Sequence, residues 1–390
     1  MKKTLMATTA ILGVGVATTP AFAADGIKLS LGGFFETAVE ENIDNHKSGD
    51  LGNNHYNDGV YSDAEIYFLG QTTLDNGLTV GARVELEGEE SDDQIDAAYV
   101  FFQGGFGELR IGSQTGALES MCVTPVGGTA NFGAFSQDQV INNAFSGFSA
   151  GVCEGVDSFM GNERSQKLVY ITPNFGGFQL GLSWSPNGGH ESAEVTDFHS
   201  GQPHVADAEQ RNVVDAYATY NHDFDSWSLA WGGGGSWAIS EGGSDQSGTK
   251  GAFYQTGLNL TFGDLSVGGA FQYYKNGLAF GQSSAFPGTG GDVDSIIPHQ
   301  DMWVAGGGVA YKIDATTLGL QYSYSDLEGL TTADANRYVH TVALTANYDM
   351  GPGIAIDGTI QYVRATGQSG DDAHGGYNSV GLGIGTSFTF

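Results

Sequence analysis

A chain of 390 residues with 40% hydrophobic and 12% aromatic content is too apolar to be disordered, and with 62 glycines but only 8 prolines it is neither collagen-like nor a proline-rich linker. Its 45 acidic residues against 14 basic ones give a net charge of −31, which excludes nucleic acid as a partner and requires the surplus carboxylates to lie where water reaches them. Its 2 cysteines allow one disulfide at most.

The chain begins with an export pattern. Lys2 and Lys3 form a positive end, Leu5 to Val16 an apolar run and Ala21-Phe22-Ala23 a small-residue cleavage site, so residues 1–23 are expected to leave and 24–390 to remain as one domain. An uncleaved anchor is the alternative, but the apolar run falls short of the roughly 20 residues that a spanning helix needs. Export favours a bridge between Cys122 and Cys153, with two free thiols as the alternative.

From Ile27 onward, Ile27, Leu29, Leu31, Phe35 and Val39 alternate with Lys28, Ser30, Glu36 and Glu40, the period of a strand with one apolar and one polar face. The pattern runs longer than the five or six residues of an ordinary strand and reaches the roughly 9–11 of a tilted membrane-spanning one. Ile66 to Leu74 turns at Asp75-Asn76-Gly77 into a second such strand, whose polar face carries Arg83, Glu85 and Glu87. Ala97–Gln103 and Glu108–Gly112 follow around Gly104-Gly105-Phe106-Gly107.

Ser113 to Arg164 breaks the pattern. This long irregular stretch, set as a loop at 114–165, holds both cysteines, the acids Glu119, Asp138, Glu154, Asp157 and Glu163, and phenylalanines at 132, 135, 145 and 148. Loops of that length in a compact domain are usually functional.

Alternation then resumes in Lys167–Pro173, Phe178–Ser185, Asn212–Asn221, Ser226–Ile239, Ala252–Phe262, Leu265–Tyr274, Asp301–Tyr311, Thr316–Ser325, Arg337–Tyr348, Ile354–Arg364 and Gly376–Phe390. Tight turns alternate with long polar loops throughout. The expected fold is therefore all-β: an antiparallel transmembrane β-barrel of about 16 strands, with its long loops outward and its short turns in the periplasm. A soluble sandwich or propeller is the alternative. Aromatics near strand ends (Phe175, Trp184, Tyr220, Phe224, Trp227, Phe262, Tyr348) fit girdles at two lipid interfaces.

Several patterns that could carry chemistry lack the context for it. Gly147-Phe148-Ser149-Ala150-Gly151 matches a nucleophile elbow without the required strand–turn–helix, and Gly381-Leu382-Gly383-Ile384-Gly385 lies within a strand, where its glycines thin the inner face. The histidines form no metal-ligand pair at helical spacing, so no metal site is assigned and no cofactor is expected. Asp292 and Asp294, or the loop acids, could offer oxygens to Ca²⁺.

Tyr170-Ile171-Thr172-Pro173-Asn174-Phe175-Gly176-Gly177-Phe178, Gly105-Phe106-Gly107-Glu108-Leu109-Arg110-Ile111-Gly112 and the last strand ending in Phe390 resemble the trimeric general diffusion porins of Gram-negative bacteria. Ser113 departs from the arginine often found there in that family. The resemblance implies a homotrimer in the outer membrane, in contact with its lipids and lipopolysaccharide, that passes small hydrophilic solutes and cations by diffusion. It also implies that the long third loop folds into the pore against basic residues of the opposite wall. Candidates for the basic side are Lys28, Arg83 and Arg110, and for the acidic side Glu119, Asp138, Glu154 and Asp157, with Glu163 and Arg164 of the loop completing the constriction. Few bases against many acids predict cation preference. A substrate-specific channel is the first alternative, and an outer-membrane barrel enzyme or adhesin the second.

Overall fold

The computed structural model describes residues 26–44, 58–88, 95–135, 153, 164–187, 210–240, 250–275, 301–327, 337–367 and 377–390. In chain order the strands are β1 (Lys28–Asp44), β2 (Asp58–Thr73), β3 (Thr79–Glu87), β4 (Ile95–Gly104) and β5 (Gly107–Ser113). A short helix, α1 (Ala117–Met121), precedes β6 (Gln166–Ile171), β7 (Phe178–Asn187), β8 (Gln210–Asp223), β9 (Ser228–Ser240), β10 (Lys250–Phe262) and β11 (Leu265–Lys275). The sheet is completed by β12 (Met302–Ile313), β13 (Thr316–Leu327), β14 (Arg337–Gly351), β15 (Ile354–Gly367) and β16 (Tyr377–Thr389).

Each strand pairs antiparallel with its sequence neighbour, and β1 pairs with β16 to close the barrel. Closure leaves no unpaired sheet edge, the condition for a sheet to sit in lipid. The seam is finished by a reciprocal pair of backbone bonds: Gly33 N–H donates to Phe390 C=O at 3.0 Å and Phe390 N–H to Gly33 C=O at 3.1 Å. Gly33 is needed there, because a side chain would run into the Glu65 carbonyl and the Phe390 ring. At the β2–β3 turn Gly77 has φ 81°, and Asn76 Oδ1 accepts from Leu78 N–H at 3.0 Å, the turn chemistry expected from Asp75-Asn76-Gly77.

The alternation sorts residues as expected. One face exposes Leu29, Leu31, Val39, Trp184, Leu258, Leu320, Ile360 and Leu382, while the other buries Asn42, Ser183, Asp215, Gln255, Gln321, Asp357 and Ser379. The exposed apolar face is the outer one and the polar face lines the interior. Rings gather at both rims. At the turn end, Tyr220, His222, Phe224, Trp227 and Phe262 form a continuous series with centroids 4.1–6.1 Å apart. At the loop end Trp303, Tyr324, Tyr338 and His340 do the same, joined by Trp237 and Tyr254. Trp184, in β7, belongs with this second rim.

Candidate pore lining

Residues 114–135 lie along the inner face of the barrel, and the strands they cross carry the side chains that hold them. Ala117 N–H donates to Ser183 Oγ of β7 at 3.1 Å, which docks α1. Val123 N–H donates to Tyr217 Oη of β8 at 3.3 Å, while Gln255 and Asn259 of β10 donate to the carbonyls of Val123 and Thr124 at 3.0 and 2.7 Å. Gln321 of β13 clamps both limbs of the next bend. Its Nε2 donates to the Pro125 and Val126 carbonyls at 3.1 and 3.2 Å, and its Oε1 accepts from Ala134 N–H at 2.8 Å. Thr345 of β14 donates to Gly127 C=O at 2.6 Å, and Asp357 of β15 accepts from Asn131 through backbone N–H at 3.0 Å and side-chain amide at 2.9 Å.

The logic is one of satisfaction. A segment that is neither helix nor ladder leaves its backbone groups without partners, and burial makes each unpaired group costly. Amide and hydroxyl side chains, which both donate and accept, substitute for the missing ladder. Glycines make room for it: at Gly257, Gly308 and Gly319 a side chain would strike the backbone of Val123, Val126 and Gly127, and at Gly383 the ring of Phe132. Phe132 and Phe135 are 2% and 4% exposed, each supplying roughly 1.5–3 kcal/mol of apolar burial. Phe135 joins a core inside the barrel with Leu118, Tyr217, Phe253, Tyr274 and Val304.

Cys122 and Cys153 are bridged. Cys153 is buried beside Gln255, whose amide lies 3.9 Å from its sulfur, so the bridge returns the chain to the wall near β10. Residues 122–135 are neither helix nor strand, whereas Ala117–Met121 form α1, whose five residues carry no clear periodic signal in the sequence.

Across the interior, β2 to β6 carry charge. Arg83 is ion-paired with Glu85, two positions along the same face of β3, and its guanidinium carbon lies 4.3 Å from the centre of the Tyr67 ring. Arg110 is bonded to Glu108 in the same way on β5 and lies 5.6 Å from the Tyr99 ring, with Gln103 donating to Glu108 at 3.2 Å. Arg164, at φ 47°, ends the long stretch; its Nε donates to Asp96 Oδ1 at 2.5 Å, and its carbonyl accepts from Ser113 Oγ. The arginine side chains remain 28%, 22% and 21% exposed, enough to meet water.

The structure thus brings Arg83, Arg110 and Arg164 onto one wall. Lys28 lies apart from them at the turn end of β1, opposite Gln71. Glu119 is half-buried in α1, which packs beside β7 and β8, next to the strands of the charged wall. Asp138, Glu154, Asp157 and Glu163 fall outside the described residues, as do Phe145, Phe148, the Gly147–Gly151 pattern, and Asp292 and Asp294. Sequence reasoning passed over Asp96 and Lys167. Asp96 sits at a bulge where β4 slips against Glu85 and Leu86, which hides its face from strict alternation. Lys167 is buried and shares a face with Val169 in β6, so alternation alone places it inside. Glu65, Glu87 and Asp96 bring oxygens within 4.8 Å of one another, a hard donor set of the type calcium takes.

The profile of the Gram-negative porin family matches residues 7–368, and the chain belongs to that family, whose place is the outer membrane. A monosaccharide porin of a Halomonas species is 26% identical over 209 residues, which cover 50% of this chain and 52% of that protein. The chain spans about half the length of the curated relatives it matches. Solved outer-membrane structures share the fold. The trimer form of OmpT, an outer membrane protein of Vibrio cholerae, aligns with TM-score 0.57 at 14% identity over 94% of this chain and 100% of that one. An anion-selective porin from Comamonas acidovorans aligns with TM-score 0.57 at 17% identity over 93% and 100%.

Proposed function

We propose that the chain forms a water-filled channel for passive diffusion of ions and small hydrophilic solutes, narrowed by the segment 114–165 and selective for cations. The observation that carries this reading is the division of the lumen: residues 117–135 are bonded along β7 to β15, and the wall from β2 to β6 faces them with charged side chains. A barrel of 16 strands has the width for an aqueous channel, and one peptide segment laid on its wall reduces that width without filling it. Arg83, Arg110 and Arg164 against Glu119, Asp138, Glu154, Asp157 and Glu163 remain the proposed constriction, with Lys167 and Asp96 added, while Lys28 lies apart from it at the turn end. Net charge of −31 supports cation preference, since low-dielectric walls focus the field of the surplus acids.

Homotrimers in contact with lipid and lipopolysaccharide are part of the proposal, supported by the trimeric form of the OmpT neighbour. The channel requires no cofactor, and calcium at the carboxylate cluster would modulate rather than carry transport. A second reading, a sugar-preferring channel, is favoured by Tyr67 and Tyr99 on the charged wall and by the monosaccharide porin relative. Planar-bilayer recording tests both. Expected are ohmic channels whose K⁺ over Cl⁻ preference shrinks between 0.1 M and 1 M KCl, as the screening length falls from about 10 Å to about 3 Å. An anion-selective channel overturns the cation reading, and current blocked saturably by one monosaccharide establishes the second.

A further inference from the structure

We infer that Glu85 and Glu108 strengthen the pore's cation preference, by neutralising the arginines of the charged wall from within their own strands. The inference rests on the channel reading above. In a strand, residues two apart project from the same face, so Arg83 with Glu85 and Glu108 with Arg110 are intrastrand pairs that pairing geometry holds together. Arg164 with Asp96 adds a third pair across the end of the long stretch. Three guanidiniums that would otherwise draw anions to this wall are therefore each matched by a carboxylate.

The pairs differ from exposed salt bridges in being held from both sides. Arg83 is laid on Tyr67 and Arg110 faces Tyr99, while Gln103 donates to Glu108. Guanidinium groups stack on rings and pair with carboxylates at once, so neither head swings freely into the lumen. To a hydrated ion passing by, each pair is a dipole whose field falls off faster than that of a single charge. Removing the acid converts it into a bare cation, and removing the arginine converts it into a bare anion.

The test is a set of single and double substitutions read as reversal potential in a KCl gradient at about 0.1 M. Glu85→Gln and Glu108→Gln should each lower the K⁺ over Cl⁻ permeability ratio about two-fold, as expected for one unit charge added several ångströms from an ion in a largely aqueous lumen. Together they should lower it about four-fold. Arg83→Gln should raise the ratio by a similar factor and keeps the test decisive if an acid variant fails to insert. Variants that conduct with the wild-type ratio, or an Arg83→Gln that lowers it, overturn the inference while leaving the channel intact. A wild type that never conducts overturns the channel reading and the inference with it.

Discussion

The two halves of the barrel interior are built from different chemistry for different neighbours. Along β7 to β15 the polar inward side chains are mostly neutral amides and hydroxyls, with Asp215 and Asp357 as acids bonded in place, interleaved with apolar ones such as Phe253 and Val304; Ser183, Gln255, Gln321 and Asp357 are at most 6% exposed. Along β2 to β6 the inward side chains include arginines, carboxylates and tyrosines, of which the Arg83 and Arg110 pairs meet water while Asp96 and Lys167 are buried. One wall is made to receive a polypeptide and the other to receive ions. A peptide needs partners of fixed direction and gaps for its backbone, which amides and glycines supply. A passing ion needs a field but no fixed partner, which exposed charge supplies. The same closed sheet accommodates both because each strand chooses its inward residues independently of its ladder bonds.

Severing the Cys122–Cys153 bridge should disturb the covered wall most. The two residues are 31 apart in sequence, so Cys122→Ser with Cys153→Ser should cost roughly 3–4 kcal/mol through the unfolded chain, seen as a lower urea midpoint in detergent. An unchanged midpoint would show that the wall alone secures the segment. Next in size is Gln321→Leu, which leaves the Pro125 and Val126 carbonyls and Ala134 N–H without their clamp and should cost about 1–3 kcal/mol. The matching change on the charged wall, Arg83→Gln, removes a water-reachable pair and should cost under about 1 kcal/mol. Equal losses at the two sites would erase the distinction between the walls.

Gly319→Val should destabilise by about 1–3 kcal/mol, because its side chain must displace Gly127, and lifting the segment should also alter single-channel conductance. Unaltered conductance with lost stability would separate the trough from the pore's width. The smallest effect is expected for Lys28→Gln. That residue is exposed at the turn end, so both stability and selectivity should shift little, within about 0.5 kcal/mol. A large selectivity change there would move the electrostatic control away from β3 and β5.

Much of the barrel is legible in the sequence because a membrane enforces alternation: an outward residue must be apolar, so period two survives wherever lipid touches the strand. Where the apolar series is interrupted, so is the signal. β2 begins at Asp58, eight residues before the apolar Ile66 at which alternation becomes readable, since Ser62 and Ala64 interrupt the apolar series on its outward face. The arginines of the charged wall were legible as inward residues of β3 and β5. Their pairing required only the two-residue spacing of Arg83 with Glu85 and Glu108 with Arg110, whereas the approach of Arg164 to Asp96 depends on tertiary structure. The trough was illegible for another reason. Gly257, Gly308 and Gly319 have the same local context as glycines that only ease curvature, and what distinguishes them is a segment more than a hundred residues earlier in the chain.

That separation dictates an order of events. Asn131 meets Asp357 across 226 residues, and Gly127 meets Thr345 across 218, so the segment is made long before the strands that will hold it. Contacts of such range form late, because the loop entropy they close is lost before they give anything back. Cys122 and Cys153, by contrast, both precede β6 and can find each other as soon as the chain reaches an oxidising compartment. The bridge can therefore be tied before the wall that receives it has formed, which leaves the capture of a pre-stapled segment to the later pairing of β13 to β15.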